Sequence, residues 1–468
     1  MEDIKVDLAV IGAGPAGQKA AIQAAKLGKS VLVIEKEDRL GGACLNYGTI
    51  PSKTLREAIL DLTGFRERSF YGVQKERERG KVSIHDLLFR LDKVLRQQGE
   101  LIREQFANNE IRVVQGRASF RTVNVLEVMD EDGKGNYWVE AQRIIIATGS
   151  RPRNPGEVPF DDDCILDSNR LLKLDRIPES MLVLGSGIIG SEYATMMAAL
   201  GTKVTLIDRT ERPLRLLDSE IGEMFSKYSA EMGVDFQGGL TIDQIRKSED
   251  GQAVVTTKDG KTFEAETLFF ALGRVANVET LGLDNIGLDL TGRGHLPVNP
   301  LFQTAWPNIF AVGDVIGAPA LAATSMEQGR LAARNAFAER THQFPEFFPF
   351  GVYTIPEISW IGATEDQLID KGSNYEVGRA YYYEIARGSI AGDTKGLIKI
   401  LFHRETREVL GVHIMGTAAA ELIHIAQVAM HFRARIDYFI DSIFNYPTFA
   451  EGYRIAALNG VNKTLVKH

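Results

Sequence analysis

The sequence predicts an α/β protein with two copies of one strand–turn–helix–strand unit and a separate α+β region at its C-terminal end. Two glycine-rich turns, at residues 12–17 and 185–190, each follow a short apolar strand. An acid lies 23 residues after the first glycine of each turn, Glu35 in one case and Asp208 in the other. From about Phe344 onward the composition changes, and strand-like and helical patterns of a different kind follow.

The first unit begins with the apolar run DLAVI at residues 7–11. Continuous apolar runs of this length are typical of parallel strands that are covered on both faces. The turn GAGPAG follows, and a helical pattern then continues to Leu27 and ends at Gly28. A second apolar strand at residues 30–34 ends at Glu35 and completes a β-α-β unit.

The second unit repeats this order, with strands at residues 181–184 and 203–207 around the turn GSGIIG. A lone GxGxxG motif is weak evidence, but the strand before it, the helix after it and the acid at the next strand end are the expected Rossmann context. The first glycine permits the turn, the second lets a pyrophosphate reach the backbone, and the third lets helix and strand pack closely. The sequence therefore predicts dinucleotide phosphates at two turns, whose glycines are Gly12, Gly14, Gly17, Gly185, Gly187 and Gly190.

Other patterns lie between the two units and after them. Residues 50–108 are predicted to be mostly helical and residues 111–147 to be rich in strands, while the charged run Lys75–Lys81 is typical of a solvated loop. Residues 252–270 alternate as strands do. The C-terminal region contains two strand-like runs and a predicted helix over residues 418–432.

Bulk composition excludes several classes of function. The chain has 468 residues and a net charge of −8, which argues against a broad basic face for nucleic acid. No run approaches the ~18 apolar residues of a membrane span, and no basic targeting segment stands at the start. Only two cysteines are present, Cys44 and Cys164, which excludes a disulfide scaffold and makes the cytoplasm the expected location. His413, His424 and His431 have no spacing that suggests a metal site, so no metal is expected.

Several segments resemble the disulfide reductase flavoprotein family, which includes lipoamide dehydrogenase and glutathione reductase. The resemblance covers essentially the whole chain, in order. It is carried by GGACLNYGTIPSK at residues 41–53, ATGS at 147–150, ALGR at 271–274, IFAVGD at 309–314, TIPE at 354–357 and YPTFAE at 446–451.

The resemblance implies FAD in the first unit, NAD or NADP in the second, and a C-terminal dimerisation domain. It implies FAD binding over residues 1–150 with a helical insertion, NAD(P) binding over 151–276, a return to the FAD domain over 277–343, and dimerisation over 344–468. It also implies that Lys53 lies beside the flavin and pairs with Glu192, where a cation stabilises developing negative charge. The further cofactor-binding residues that it implies are Lys36, Gly41, Gly42, Cys44, Gly116, Thr148, Gly149, Gly273, Arg274, Asp314 and Ala322.

Two departures from the family pattern concern thiol chemistry. The family has a second cysteine five positions after the first, where this chain has Thr49, and a hydroxyl cannot form a disulfide. The family's general base is a histidine before Pro-Thr, where this chain has Tyr446, although Glu451 keeps the acid position. A tyrosine with an ordinary pKa of about 10 is a poor base at neutral pH.

One branch of the family combines these departures and passes hydride from NADPH to flavin and then to NAD. The sequence therefore predicts hydride transfer from NADPH through FAD to NAD, without a redox disulfide, in a homodimer or larger homo-oligomer. Two alternatives stay open: a diaphorase or oxidase that passes hydride to a quinone or oxygen, and a flavoprotein that has lost catalysis.

Single residues also allow two interpretations. Cys44 is either a charge-transfer thiolate or a buried remnant, and the loss of its partner favours the remnant. Asp208 favours NAD, because a carboxylate repels a 2′-phosphate. Arg209 and Arg212 either grip that phosphate or are merely solvated.

Overall fold

The computed structural model describes residues 2–64, 82–130, 136–161, 163–337 and 341–465. The charged run at residues 75–81 lies outside the described residues, so its predicted loop stays a prediction.

The α-helices of the described residues are, in chain order, α1 (Pro15–Lys26), α2 (Gly42–Asn46), α3 (Thr49–Thr63), α4 (Ile84–Asn108), α5 (Ile188–Leu200), α6 (Ser219–Glu231), α7 (Ala322–Phe337), α8 (Glu365–Asp370), α9 (Ala386–Ala391), α10 (Ala419–His431), α11 (Asp437–Asp441) and α12 (Glu451–Leu465). Short 3₁₀ turns lie at Leu171–Lys173, Leu283–Ile286, Gly313–Ile316 and Tyr382–Glu384.

The strands are β1 (Glu2–Ile11), β2 (Val31–Glu35), β3 (Arg112–Gln115), β4 (Arg117–Thr122), β5 (Val125–Met129), β6 (Asn136–Ile146), β7 (Ser150–Pro152), β8 (Ile165–Leu166), β9 (Ser180–Leu184), β10 (Lys203–Ile207), β11 (Val234–Gln237), β12 (Ile242–Lys247), β13 (Ala253–Thr257), β14 (Thr262–Ala265), β15 (Thr267–Phe270), β16 (Arg274–Ala276), β17 (Ile309–Ala311), β18 (Phe350–Val352), β19 (Ile358–Gly362), β20 (Tyr375–Tyr381), β21 (Leu397–His403) and β22 (Val409–Met415).

The chain divides into two compact units, of which the first combines Met1–Leu55, Leu88–Arg153 and Gly273–Pro345. Its main sheet has the strand order β3-β2-β1-β6-β5-β4, and β17 pairs with β6. The strands β3, β2, β1, β6 and β17 are parallel, whereas β4 and β5 form an antiparallel extension. This order, with β1 inside the sheet and α1 between β1 and β2, is the Rossmann arrangement.

Both faces of the first sheet are buried, which explains the continuous apolar runs in the sequence. Alternate residues of β1 enter two different core clusters: Ala9 and Ile11 lie in one, and Leu8 and Val10 lie in the other. Successive side chains of a strand point to opposite faces, so a strand covered on both sides has no polar alternation.

The first strand is longer than the predicted run of residues 7–11 and begins at Glu2. Its earlier residues pair with β6, in the register Ile4 with Val139 and Val6 with Ala141. The sequence pattern missed this part because Lys5 interrupts the apolar run, while backbone pairing with β6 does not depend on side-chain polarity.

The second unit combines Arg56–Leu87, Asn154–Leu272 and Glu346–His468. One of its sheets has the parallel order β11-β10-β9-β15-β8, so β9 occupies the place that β1 has in the first unit. Strands β12, β13 and β14 form an antiparallel meander beside it in sequence. The predicted duplication of a dinucleotide-binding unit is therefore confirmed.

The C-terminal region forms an antiparallel sheet in the order β18-β19-β22-β21-β20. The side chains of α10 and α12 complete its core, with Ile423 and Tyr453 almost fully buried. The α+β structure that the composition change predicted for this region is therefore present, and the predicted fold class is confirmed.

A buried lysine ties this C-terminal sheet to the start of α6 within the second unit. The Lys399 ammonium lies 2.8 Å from Asp218 Oδ1, 3.0 Å from Glu220 Oε2 and 2.5 Å from Glu365 Oε2. A buried charge is tolerated only when it is paired, so the three carboxylates explain the burial of Lys399. The contacts of Lys399 with Asp218 and Glu220 fix the beginning of α6. The chain reaches this point about ten residues after Asp208.

Candidate dinucleotide-binding sites

The first glycine turn leads from β1 into α1. Gly12 has φ +104°, and a Cβ atom there would lie 2.5 Å from the carbonyl oxygen of Ala147. A Cβ atom at Gly17 would lie 1.9 Å from the Gly12 carbonyl oxygen. Gly14 is the N-cap of α1, so the unpaired N–H groups of the first helical turn are available to an anion at this end.

Glu35 closes the first turn at the end of β2. Its Oε2 accepts a hydrogen bond from the Ala13 N–H at 2.8 Å, and its Oε1 accepts one from the Glu37 N–H at 3.0 Å. Burial raises the pKa of this carboxyl above its ordinary value. The neighbouring Lys36 is exposed, and its ammonium lies 3.4 Å from Glu37 Oε1. Gly116 donates its N–H to the Glu35 carbonyl oxygen at 2.8 Å and so lies against the same strand end.

The segment after Gly41 and Gly42 brings Cys44 next to Thr49. Cys44 lies in α2, and Thr49 begins α3 and hydrogen-bonds the thiol. Burial raises the pKa of the Cys44 thiol, although the Thr49 hydrogen bond and the Lys53 charge oppose this. The thiol is therefore protonated at neutral pH, and the group beside it is a hydroxyl.

Three motifs that are distant in sequence converge in the first unit. Ser150 donates its hydroxyl to Asp314 at 2.6 Å, while Arg274 donates to the Ser150 hydroxyl and carbonyl oxygens at 2.8 and 2.7 Å. Thr148 and Asn277 exchange two hydrogen bonds, one in each direction. The structure thus brings the ATGS, ALGR and VGD segments together.

Two other predicted residues lie within these motifs, and a third begins a helix. Gly149 accepts a hydrogen bond from the Asn277 N–H through its carbonyl oxygen, and Gly273 accepts one from the Arg153 N–H. Ala322 is the first residue of α7.

The second glycine turn has the same geometry as the first. Gly185 has φ +100°, and a Cβ atom there would lie 2.7 Å from the Ala271 carbonyl oxygen. A Cβ atom at Gly190 would lie 1.8 Å from the Gly185 carbonyl oxygen. Gly187 is the N-cap of α5 and faces open space.

Asp208 accepts four hydrogen bonds at the end of β10. Its Oδ2 accepts from the N–H and hydroxyl of Ser186 at 2.5 and 2.9 Å, and its Oδ1 accepts from the N–H and hydroxyl of Thr210 at 2.9 and 3.0 Å. Burial tends to raise the pKa of Asp208, but the hydrogen bonds from Ser186 and Thr210 outweigh it and lower the pKa. The sequence pattern did not single out Ser186 or Thr210. The fingerprint leaves the position of Ser186, after the first glycine, open to any residue, and it does not extend to Thr210, two residues after the acid.

The two arginines after Asp208 differ in their surroundings. Arg209 is exposed. Arg212 donates its guanidinium to the carbonyl oxygens of Ser219 and Leu217 at 3.2 and 3.3 Å. Arg212 is therefore occupied with backbone at the start of α6, and Arg209 is the cation that a ligand can reach.

Glu192 lies in α5 and is only 3% exposed. Its Oε1 accepts a hydrogen bond from the Tyr353 N–H at 2.8 Å, which links α5 to the TIPE segment of the same unit. Lys53 belongs to the first unit, where its ammonium lies 3.3 Å from the Ser52 hydroxyl. The predicted pairing of Lys53 with Glu192 stays a prediction.

The C-terminal motif places Tyr446 at the surface of the chain, with 71% of the residue exposed. Glu451 begins α12, and its Oε2 is buried without a hydrogen-bond partner among the described residues. His413 is buried with its Nε2 atom 2.8 Å from the Ala363 carbonyl oxygen, and His424 contacts Gln427. Within the described ranges, His, Cys, Asp and Glu side chains form no cluster that could hold a metal ion.

The helices of the described residues are also too short or too polar to cross a membrane.

Comparison with known proteins gives full-length relatives. A soluble pyridine nucleotide transhydrogenase of Mycobacterium bovis is 46% identical over 457 residues, which are 98% of this chain and 97% of that protein. A protein of the same name from Pectobacterium atrosepticum is 42% identical and covers 98% of each chain.

Solved structures with the same fold include two proteins that are each 26% identical to this chain. LpdA from Mycobacterium tuberculosis has a TM-score of 0.89 and covers 97% of this chain and 99% of its own. The HOCl-induced flavoprotein disulfide reductase RclA from Escherichia coli has a TM-score of 0.87 and covers 98% of this chain and 100% of its own.

Two family models match the chain. The model described as pyridine nucleotide-disulphide oxidoreductase matches residues 6–329, and the model for the dimerisation domain of the same family matches residues 348–457. The chain therefore belongs to the pyridine nucleotide-disulphide oxidoreductase family.

Proposed function

We propose that this protein is an FAD-dependent transhydrogenase of the Si-specific class, which transfers hydride from NADPH to NAD without a redox disulfide. The observation that carries the proposal is the contact of Cys44 with Thr49, where the family has a pair of cysteines, in a chain that has two intact dinucleotide turns. The names of relatives at 42–46% identity support the same reaction.

We assign FAD to residues 1–150 and 277–343, NAD(P) to residues 151–276, and dimerisation to residues 344–468. The first turn fits a dinucleotide because Gly12 and Gly17 leave no room for a side chain where turn, helix and strand pack together, and because Gly14, at the start of α1, has almost no atoms around its Cβ position. The unpaired N–H groups of the first helical turn are then open to a pyrophosphate. Glu35 stands at the strand end where an acid binds a ribose diol. Bound there, FAD would supply a carrier for the hydride between one nicotinamide nucleotide and the next.

The residues of the chain supply binding, orientation and charge. The first turn, with Gly12, Gly14 and Gly17, holds the FAD pyrophosphate at the start of α1. The hydrogen bonds among Ser150, Asp314 and Arg274 hold the neighbouring segments of the first unit in place. Rigid placement of this kind lowers the cost of reaching a reactive geometry.

Lys53 and Glu192 are the proposed catalytic pair. The Lys53 ammonium stabilises negative charge that develops when hydride arrives, and Glu192 orients the ammonium. In many enzymes, preorganised charge of this kind accounts for most of the lowering of the reaction barrier. Glu192 is itself fixed by the Tyr353 N–H, which suits an orienting role.

The second turn serves both nicotinamide nucleotides in succession. Gly185, Gly187 and Gly190 hold the pyrophosphate, while Asp208 and Arg209 meet the adenosine ribose and its 2′-substituent. The exposed Arg209 favours a 2′-phosphate, because a guanidinium forms strong hydrogen bonds with phosphate oxygens.

The proposed enzyme does not reduce disulfides. The sequence has two cysteines, and the second, Cys164, is buried in the second unit. Tyr446 and Thr49 leave neither the family's base nor its second sulfur. We further propose that the enzyme acts in the cytoplasm. We also propose that it assembles as a homodimer or a larger homo-oligomer, and the dimerisation domain supports this assembly.

The direct test is to mix the FAD-loaded enzyme with NADPH and thio-NAD under nitrogen and to record the absorbance of reduced thio-NAD. We expect rapid reduction of thio-NAD. Reduction of oxygen or a quinone without reduction of thio-NAD would instead identify a diaphorase or oxidase. Purified protein that contains no flavin and does not take it up would identify a structural protein.

A further inference from the structure

The two glycine turns hold their acids through the same backbone positions. Glu35 accepts from the N–H of Ala13, which follows the first glycine, and from the N–H of Glu37, two residues after the acid. Asp208 accepts from the N–H groups of Ser186 and Thr210, which occupy these same two positions in the second turn. The two turns can therefore be compared position by position, and at these positions they differ in their side chains.

The second turn adds a hydroxyl at both positions. Ser186 stands where the first turn has Ala13, and its hydroxyl donates to Asp208 Oδ2 at 2.9 Å. Thr210 stands where the first turn has Glu37, and its hydroxyl lies 3.0 Å from Asp208 Oδ1 and 3.1 Å from the Arg212 carbonyl oxygen, so that these two acceptors share its proton. The two hydroxyls also lie 3.5 Å from each other.

Because of the extra donors, the two carboxylates offer different numbers of acceptor positions to a ribose. A carboxylate has about four acceptor positions. Glu35 uses two of them within the described residues and keeps two for a ribose diol. Asp208 has protein donors at all four, so its negative charge is stabilised within the protein and no acceptor position is left open to a ribose diol. The pKa values of the two carboxyls shift in opposite directions, with that of Glu35 raised and that of Asp208 lowered.

We propose that the hydroxyls of Ser186 and Thr210 are specificity-determining positioning groups that let the second turn accept NADPH as well as NADH. They hold the Asp208 carboxylate in place and screen it, so that a 2′-phosphate on the ribose does not meet an uncompensated charge. A free ribose 2′-hydroxyl still finds acceptors, because the oxygen atoms of Ser186 and Thr210 keep lone pairs. This inference rests on the proposed function and explains how one site takes both nucleotides.

The test measures the 2′-phosphate contact by itself, without hydride transfer. Adenosine 2′,5′-bisphosphate and 5′-AMP are titrated calorimetrically into the FAD-loaded protein and into the variants Ser186→Ala, Thr210→Val and the double variant. We expect each single change to weaken the bisphosphate about tenfold, because a hydrogen bond to a charged group is worth roughly 1.5 kcal/mol at its lower limit. Binding of 5′-AMP should stay constant or become tighter, because acceptor positions on Asp208 become free.

Matched variants separate specificity from folding. Thr210→Ser keeps the hydroxyl and should keep the wild-type ratio of the two dissociation constants. Ser229→Ala and Thr202→Val remove buried hydroxyls elsewhere in the second unit, which bond Ser226 and Pro178, and should leave that ratio unchanged.

An unchanged ratio of the two dissociation constants in Ser186→Ala and Thr210→Val would overturn the inference. If both ligands were also weakened equally, the hydroxyls would have a structural role. Failure of the proposed function has a different signature. In that case wild-type protein binds both ligands, the variants still shift their ratio, and thio-NAD is not reduced by NADPH.

Discussion

Cys44 and Thr49 occupy the place of the family's dithiol, and burial keeps the Cys44 thiol protonated. Hydride transfer between nucleotides requires no sulfur. We therefore predict that Cys44→Ser retains most of the NADPH-to-thio-NAD turnover, measured at saturating nucleotide. The matched control Cys164→Ser removes the buried thiol of the second unit and should behave in the same way.

A loss of about 1,000-fold or more in Cys44→Ser alone, equivalent to about 4 kcal/mol of barrier, would assign the thiol a direct role. Turnover of dihydrolipoamide or glutathione disulfide by the wild-type enzyme would equally contradict an enzyme without a redox disulfide.

Arg209 and Arg212 are three residues apart, but only Arg209 is exposed to a ligand. We predict that Arg209→Ala raises KM for NADPH by about tenfold or more and changes KM for NADH little, because only NADPH has the 2′-phosphate and a charge-assisted contact is worth about 1.5–3 kcal/mol. Arg212→Ala should instead lower Tm, because it removes hydrogen bonds to Leu217 and Ser219. Equal changes for both nucleotides in Arg209→Ala would mean that its guanidinium is only solvated.

The sequence was sufficient to predict that Glu35 and Asp208 lie at strand ends beside the two glycine turns, because an acid at a fixed distance from such a turn is a local pattern. It could not predict Ser186 and Thr210, whose importance depends on where two loops meet at one carboxylate. It also could not predict that Ser150 joins Asp314, because these residues are 164 positions apart and only the folded sheet brings them together.

The third glycine of each turn sets the distance between a helix and the preceding strand end. A Cβ atom would lie 1.9 Å from a carbonyl oxygen at Gly17 and 1.8 Å from one at Gly190, so alanine must push the helix away. We predict that Gly17→Ala is purified with little flavin. Gly190→Ala should keep its flavin but bind NADP and NAD at least about tenfold more weakly, which corresponds to about 1.4 kcal/mol. Flavin absorbance per chain and calorimetric titration measure these two outcomes.

Gly99→Ala provides the control, because Gly99 lies in α4 with no atom within 4 Å of its Cβ position. It should be neutral or stabilising by about 0.5–1 kcal/mol. The assignment of FAD to the first turn and nicotinamide nucleotides to the second would be wrong if Gly17→Ala kept its flavin and Gly190→Ala lost it.

At the level of elements, apolar runs and glycine turns predicted both β-α-β units, because these signals are local. The start of β1 was predicted too late, since pairing with β6 rather than hydrophobicity defines residues 2–6 as strand. The tie between α6 and β21 through Lys399 was not predictable either, because a lysine in an apolar strand gives no sign of its three carboxylate partners.

For the whole molecule, the order of motifs along the chain was enough to predict the fold class, since each of the segments has its counterpart in the family. The chain provides two dinucleotide turns, at Gly12 and Gly185. If FAD occupies the first turn, then NADPH and NAD must use the second in succession. The protein then has a single nicotinamide site that NADPH and NAD occupy in turn.

Initial-rate kinetics under nitrogen distinguish one nicotinamide site from two, with NADPH and thio-NAD each varied at several fixed concentrations of the other. A single site used in succession predicts parallel lines in double-reciprocal plots and mutual competition at high concentration, because one nucleotide must leave before the other binds. Intersecting lines, which require both nucleotides to be bound at once, would contradict the account and demand a second nicotinamide site.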